Sequence, residues 1–331
     1  MQSPTIQLDK SCRPDLADIR AAAALIAGHV LNTPLLETRL PGFPAPVYLK
    51  LETHQPTGSF KLRGATHAVR ALDAKARERG LVTASTGNHG RALAHAASEA
   101  GARAVVCMSN LVPQNKVDAV RALGAEVRII GASQDDAQAE VQRLVAREGL
   151  TEIPPFDHPS IIAGQGTIGL EIAEALPSLT LVLVPLSGGG LAAGIAAAVK
   201  GLRPSAKIIG VSMERGAAMH ASLGAGCPVL VEEQASLADS LGGGIRLDNR
   251  CTFAMCRDLL DGVLLLTEEE IATGIRHLGL AEHETVEGAG AVGVAALLAG
   301  KVTPDGPVAT ILSGRNIDPT LHTEILRGKY S

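Results

Sequence analysis

The sequence predicts an α/β protein of two domains, each built on a mostly parallel twisted sheet covered by helices. Three observations carry that prediction. Short aliphatic and β-branched runs alternate with longer helical stretches over nearly the whole chain, the pattern of the strand–helix–strand units that build parallel sheets. One run, TLVLVPL (180–186), is apolar at almost every position, as a strand buried on both faces requires. The 331 residues also suffice for two units on the usual scale of roughly 100–200 residues each.

The elements follow in order. ADIRAAAALIAGH (17–29) reads as a helix entered through Pro14-Asp15 with an acidic first turn, and VYLKLE (47–52) as a strand. SFKLRGATHAVRALDAKARERG (59–80) reads as one helix capped by Ser59 and stopped by Gly80. LVTAS, RAVVCM and EVRII are strands. They alternate with helices over NHGRALAHAASEAG, PQNKVDAVRALG and QDDAQAEVQRLVAREG. After the proline-rich IPPFDHPS (153–160) come TLVLVPL, a helix from Leu191, and the strands KIIGVS, GVLLLT and PVATILS. Residues 53–152 are expected to form the smaller domain, and residues 1–52 with 153–331 the larger. The segment 216–252 is the least regular.

Composition narrows the function. Lysine plus arginine number 30 against 34 acidic residues, and aromatics make up 2%. That argues against nucleic acid, which is bound by basic faces and stacking rings. The five cysteines contain no Cys-x-x-Cys and read as idle or buried thiols in a reducing compartment. The first fifteen residues lack the apolar core of a signal peptide, and no apolar run approaches the ~20 residues of a membrane helix. A cytoplasmic protein without a membrane or nucleic-acid partner is expected.

Three strand-to-helix junctions can carry chemistry: GSFKLRGA (58–65), STGNHG (Ser85 to Gly90) and SGGGL (Ser187 to Leu191). A buried strand, a glycine-rich turn and a helix start form an anion site, because free backbone N–H groups and the positive end of the helix dipole converge there. No Gly-Lys-Ser/Thr follows SGGG, so it is not a nucleoside-triphosphate loop. GQGTIG (164–169) and GAGAVG (288–293) match the dinucleotide spacing. Neither follows a convincing strand or precedes a ribose-binding acid, and both read as chance matches or helix-packing glycines. Lys61 is the distinctive residue. In the first turn of a helix the dipole disfavours its charge, and screening from water makes its ammonium lose a proton more easily. A neutral amine is what covalent chemistry with a carbonyl needs.

KLETHQPTGSFKLRGA (50–65), STGNHG (85–90), PLSGGGL (185–191) and LSGRNID (312–318) together resemble the fold-type II pyridoxal-phosphate enzymes, in the branch of threonine dehydratases and serine racemase. The motifs stand in the family's order, and the resemblance covers nearly the whole chain. It implies a tryptophan synthase β-like fold with the substrate loop on the smaller domain and the cofactor's phosphate and ring-nitrogen contacts on the larger. It makes Lys61 the residue that holds pyridoxal 5'-phosphate and acts as catalytic base, with Phe60 screening it. Ser187, Gly188, Gly189, Gly190 and Leu191 would cradle the phosphate, with Ser187 where the family commonly has another glycine. Asn88 would bond the ring oxygen, and Glu287 would stand near the pyridine end. Ser85, Thr86, Asn88 and His89 would hold the substrate. Ser313 would face the pyridine nitrogen, where a hydroxyl, unlike a carboxylate, leaves the ring a weaker electron sink and favours expelling a β-substituent over transamination.

The implied activity is an ammonia-lyase that eliminates water from a β-hydroxy amino acid such as threonine or serine, giving a 2-keto acid and ammonia. The implied assembly is a homodimer or homotetramer. DSLGGGIRLDN (239–249) and STGNHGRALA are similar to the hydroxyectoine-utilisation dehydratase subfamily, so a hydroxyectoine-derived amino acid is an alternative substrate. The racemase branch has a serine where Thr86 stands, which weakens a racemase reading. Family members that hold a divalent cation do so with acidic residues where Ser212, Gly216 and Ala218 stand; Glu214 alone is a poor hard-cation site, and no metal is expected. The chain ends soon after LSGRNID, without the length for the regulatory domain of longer biosynthetic dehydratases. A nicotinamide-dependent oxidoreductase would rest on the two discounted glycine motifs. A non-catalytic binding protein would be signalled by loss of Lys61 or Ser313, and both are present.

Overall fold

The computed structural model of the chain describes residues 12–329 except 39, 41, 42, 44, 86 and 113. Two sheets organise it. The first contains β1 (Leu35–Thr38), β2 (Val47–Lys50), β7 (Leu181–Pro185), β8 (Lys207–Met213), β9 (Gly262–Leu266) and β10 (Val308–Ile311), in the order β1-β2-β10-β7-β8-β9. Only the β1–β2 pair is antiparallel. The second contains β3 (Leu81–Ala84), β4 (Ala104–Met108), β5 (Glu126–Ile129) and β6 (Thr151–Glu152), in the all-parallel order β5-β4-β3-β6.

Alternation along each strand divides the core between the two faces of its sheet. Leu181 and Leu183 of β7 pack on one side with α11 (Glu268–Leu280) and α12 (Gly288–Leu298). Val182 and Val184 pack on the other with α7 (Pro159–Ala175), α8 (Gly190–Leu202) and α10 (Thr252–Leu259). In the second sheet Val106 and Met108 face α2 (Lys61–Ala71) and α4 (Asn88–Glu99), while Val105 and Cys107 face α6 (Gln134–Glu148). The remaining helices are α1 (Leu16–Ile26), α3 (Ala74–Arg79), α5 (Gln114–Arg121), α9 (Ala218–Ala225) and α13 (Pro319–Leu326). Among the described residues no helix is long and apolar enough to cross a membrane.

Both sheets reverse direction at one point. From β7 the chain winds outward through β8 and β9, and β10 returns on the other side of β7. From β3 it winds outward through β4 and β5, and β6 returns on the other side of β3. Crevices form outside the carboxyl ends of strands at such switch points. The two here receive the SGGGL turn after β7, Ser313 after β10, Ser85 and Gly87 to His89 after β3 and Pro155-Phe156 after β6, and all of these line one cavity.

Two details of the sequence reading change. The stretch 59–80 is two helices: α2 ends at Ala71 with Leu72 as its C-cap, and Asp73 starts α3 by accepting from the Ala76 N–H at 2.7 Å. Ser59 caps neither. It forms an isolated antiparallel bridge with Gly314, Phe60 occupies the N-cap position, and Lys61 is the first helical residue. Bridging to a distant segment outweighed the local capping preference of serine.

GQGTIG lies inside α7 and GAGAVG inside α12, and their glycines serve close packing. A Cβ on Gly164 would stand 2.7 Å from the Gly64 Cα of α2. One on Gly169 would stand 2.8 Å from the Ile195 carbonyl of α8, and one on Gly194 would meet the backbone of Ile162 and Gly166. Helices α2, α7 and α8 therefore touch backbone to backbone. We expect Gly194→Ala to lower stability by roughly 1–3 kcal/mol, since the added methyl meets backbone that cannot step aside. Gly224→Ala, in α9 with open space around it, should be neutral or stabilising by up to about 1 kcal/mol. Denaturant midpoints of the two variants test this, and equal midpoints would contradict the packing argument.

Candidate active site

The cavity has a volume of about 360 Å3, and its walls come from all four motifs. Lys61 begins α2 beside Phe60, its Nζ 5.3 Å from the ring centroid and donating to the Pro155 carbonyl at 2.7 Å. Burial pushes its amine down to about 8, against the upward pull of the Glu287 carboxylate. The first-turn placement read from the sequence is thus realised, and with it the lowered proton affinity. Two backbone links tie this segment to the one after β10: the Ser59–Gly314 bridge, and the Phe60 N–H donating to the Ser313 carbonyl at 3.0 Å. Ser313 is thereby carried to the cavity wall, where it is 2% exposed.

The Ser187-to-Leu191 turn opens α8. Gly189 is the N-cap residue with φ +89°, a left-handed conformation that favours glycine. The first helical bond runs from the Ala193 N–H to the Gly189 carbonyl, so the amides of the turn and of the helix start are free for an anion. The floor beneath is tight. A Cβ on Gly188 would enter the Phe156 ring, and one on Gly189 would stand 2.7 Å from Met219 Cε and 3.0 Å from Cys256 Sγ. Asp157 secures that floor by accepting from the backbone N–H groups of Arg250, Cys251 and Thr252 at 2.7–2.9 Å.

At the start of α4, Asn88 and His89 are the first two helical residues, with no carbonyl a turn back to take their N–H groups. The Ser85 hydroxyl accepts from the Gly90 N–H at 3.1 Å and the Gly87 N–H at 3.5 Å, which shapes the loop. Thr86 lies outside the described residues. The His89 ring is buried, and its Nε2–H donates to the Ile153 carbonyl at 2.9 Å. Burial, with Lys61 nearby, pushes this imidazole down to about 3, so it stays neutral. A neutral ring already committed to Ile153 leaves its backbone N–H as His89's contribution to binding an anion.

Glu287 stands at the N-cap position of α12 but does not cap it. Its Oε1 accepts instead from Asn88 Nδ2 at 2.7 Å. Burial raises the carboxyl to about 7 and Asp239 adds to this, while Asn88, the Asn316 backbone and Lys116 oppose it. Just before Glu287 in the chain, His283 is exposed. Glu284 is half-buried and accepts from His54 Nε2 at 3.1 Å. The irregular segment 216–252 does reach the cavity, lining its mouth with Glu233 and residues 239–244; Asp239 pairs there with Lys116 of α5 at 3.4 Å.

Three site-building residues were absent from the sequence reading. Arg63 is completely buried. It bonds both Glu52 oxygens at 2.8 Å and both Glu171 oxygens at 2.6 and 2.9 Å, fixing the first turn of α2. Arg91 and Asn316 stand behind Asn88: Asn316 Nδ2 donates to Asn88 Oδ1 at 2.6 Å, and Arg91 Nη1 donates to Asn316 Oδ1 at 2.8 Å. Asn316 lies within the LSGRNID motif, so the only signal was its place beside Ser313. Among the described residues no group of three or more His, Cys, Asp or Glu side chains could hold a metal ion.

A free-amide turn at a helix start, an amine held near neutrality, an amide donor and a buried hydroxyl fit a phosphorylated aromatic aldehyde. Comparison with known proteins agrees. The chain is 61% identical over 318 residues to a putative threonine dehydratase of Sinorhizobium fredii (strain NBRC 101917 / NGR234), covering 95% of each chain. It is 40% identical over 280 residues to an L-threonine ammonia-lyase of Thermotoga maritima, covering 85% of this chain and 69% of that one. Among solved structures it is similar to maize serine racemase, with 30% identity, a TM-score of 0.88 and coverage of 95% and 97%. A family model described as pyridoxal-phosphate dependent enzyme matches residues 26–314. Amine, phosphate turn and family match agree on one cofactor, and the chain belongs to the pyridoxal-phosphate dependent enzymes.

Proposed function

We propose that the protein is an ammonia-lyase that removes water from a β-hydroxy amino acid, threonine or serine, and releases a 2-keto acid and ammonia. The observation that carries this reading is Ser313. The cavity wall supplied by the segment after β10 bears a hydroxyl where a carboxylate would make the cofactor a stronger electron sink. The names of the relatives, a putative threonine dehydratase and an L-threonine ammonia-lyase, support the same reaction class.

When bound, pyridoxal phosphate supplies an electron-accepting ring next to the substrate's α-carbon. The amides of Gly188 to Leu191 and the start of the α8 dipole would hold its phosphate, Asn88 its ring oxygen, and Lys61 its aldehyde carbon. The N–H groups of Asn88 and His89 would bind the substrate carboxylate, with the Ser85 loop shaping their approach. Lys61 Nζ is the group placed to take the α-proton. Its lowered proton affinity makes the free amine accessible near neutral pH, and the Pro155 carbonyl offers its ammonium an acceptor. Phe60 and the buried segment 185–191 exclude water around that amine. The net change is loss of one hydroxyl and one α-proton as water, followed by hydrolysis that frees ammonia from the nitrogen-bearing carbon. A homodimeric or homotetrameric cytoplasmic enzyme completes the reading, on the family resemblance and the unpaired cysteines.

Lys61→Ala should lose cofactor attachment and turnover while retaining its fold, checked by absorption and circular dichroism; turnover at the wild-type rate would sink the assignment. The rate at which cofactor-free protein captures pyridoxal phosphate should rise with pH through a midpoint near Lys61's value of about 8, because only the neutral amine reacts. In Glu287→Gln that midpoint should move down, since the carboxylate's charge is what holds the lysine up; an upward move contradicts the electrostatics. Ser313→Asp should shift product from keto acid plus ammonia toward amino transfer onto the cofactor. An unchanged product ratio would remove the ring-nitrogen argument.

A further inference from the structure

We propose that Asn316 and Arg91 are positioning residues that fix which way the Asn88 amide presents itself to the cofactor. A carboxamide can be turned end for end at little steric cost, so its orientation must come from its partners. Asn88 cannot supply it alone, because a carboxylate such as Glu287 switches between accepting and donating as it gains a proton. Asn316 can. Its Nδ2 donates to the Thr57 carbonyl at 3.0 Å, and its Oδ1 accepts from Arg91 Nη1 at 2.8 Å. A backbone carbonyl only accepts and a guanidinium only donates, so these two contacts set Asn316 without reference to Asn88.

With that orientation set, Asn316 Nδ2 offers a donor to Asn88 at 2.6 Å, and the atom facing it must be Oδ1. The Asn88 Nδ2 group is then turned to Glu287 Oε1 at 2.7 Å and toward the cavity that Asn88 lines. One of its two hydrogens is taken by Glu287, and the other remains for the cofactor's ring oxygen. Asn88 thus meets an electron-rich oxygen as a donor and never as an acceptor. The Asn316 backbone also acts at the far end of the chain, where it favours the charged form of the Glu287 carboxylate.

The surroundings are cleared for this arrangement. A Cβ on Gly58 would stand 2.9 Å from Asn316 Oδ1, and one on Gly314 would stand 2.6 Å from Glu287 Oε1. Arg91 sits in the first turn of α4, where the helix dipole disfavours a cation, and burial pushes its guanidinium down while Glu287 opposes. A placement against local electrostatics is accounted for by the contact it makes. From Arg91 through Asn316 and Asn88 to Glu287, every bond points the same way, and polarisation along such a chain strengthens its last donor.

The test uses the cofactor-loaded enzyme with Asn316→Asp, which keeps shape but removes the donor, and Arg91→Met, which leaves the Thr57 and Asn88 contacts in place. Cofactor content, thermal midpoint and the ratio of the bound cofactor's visible and near-ultraviolet bands are read without substrate. We expect Asn316→Asp to alter the band ratio at full occupancy and to lower kcat about tenfold or more with KM little changed, as small misplacements of site groups do. Arg91→Met should move the band ratio in the same direction, and Arg91→Lys should restore most of it. An unchanged ratio in Asn316→Asp at full occupancy overturns the proposal. If Asn316→Asp does not fold, an unchanged ratio in Arg91→Met overturns it. The inference rests on the proposed use of Asn88 and not on the choice of substrate. A wild-type enzyme with normal bands that releases no keto acid from any β-hydroxy amino acid would end the lyase reading and leave the band-ratio test intact.

Discussion

The buried charge of Arg63 is the constraint around which Lys61 and the cavity beside it are arranged. Its guanidinium lies two residues beyond Lys61, fully enclosed. Burial would push it toward losing its proton, and the Glu52 and Glu171 carboxylates outweigh that and hold it charged. Lys50 completes the group by bonding Glu171 and the Thr33 carbonyl. Two cations and two carboxylates balance one another, Arg63, Lys50 and Glu52 buried and Glu171 partly exposed. Removing Glu52 or Arg63 would strand a buried charge, which costs several kcal/mol. Because Glu52 follows β2, Arg63 lies in the first turn of α2 and Glu171 belongs to α7, the group locks three elements in register. The amine of Lys61 inherits that rigidity.

A second constraint comes from backbone pairing. The Ser59–Gly314 bridge and the Phe60–Ser313 bond attach the lysine's segment to the strand end that carries the serine, so main-chain bonds set the separation of the Lys61 and Ser313 backbones. On the opposite side, His89 donates to Ile153 and joins the start of α4 to the end of β6. The two switch points therefore face each other across a cavity whose walls are joined by short-range bonds. The close glycine contacts of α7 with α2 and α8 extend the same rigidity to the phosphate turn.

Much of this was legible from the residues. Alternation of short apolar runs with helical stretches located most strands and the helices before Pro155, together with α8, because the helix and strand periods are local properties; α7, α11 and α12, apolar on most sides or joined to polar turns, were not assigned. The four motifs located Lys61, Asn88, the turn after β7 and Ser313, since turn chemistry and helix starts are written within a few residues. What failed also has local causes. β1 is four residues long, half exposed and antiparallel, and β6 has two residues, too short to show a period. Leu72-Asp73 breaks a stretch whose charges and alanines otherwise suit one helix, and a capping aspartate there was read as a helix interior.

The sequence by itself determined the α/β class, the position of Lys61 at a helix start and the glycine-rich turn after β7, because each rests on the preferences of neighbouring residues. Tertiary structure alone decided that Arg63 is a buried hub and that Ser59 bridges Gly314 instead of capping a helix. It also decided that His89 is neutral and that Arg91, Asn316, Asn88 and Glu287 form one directed chain. Those outcomes depend on which groups from distant segments share a volume without water. Burial and partner geometry set the charge, proton affinity and orientation of such groups, and neither can be read along a single stretch of chain.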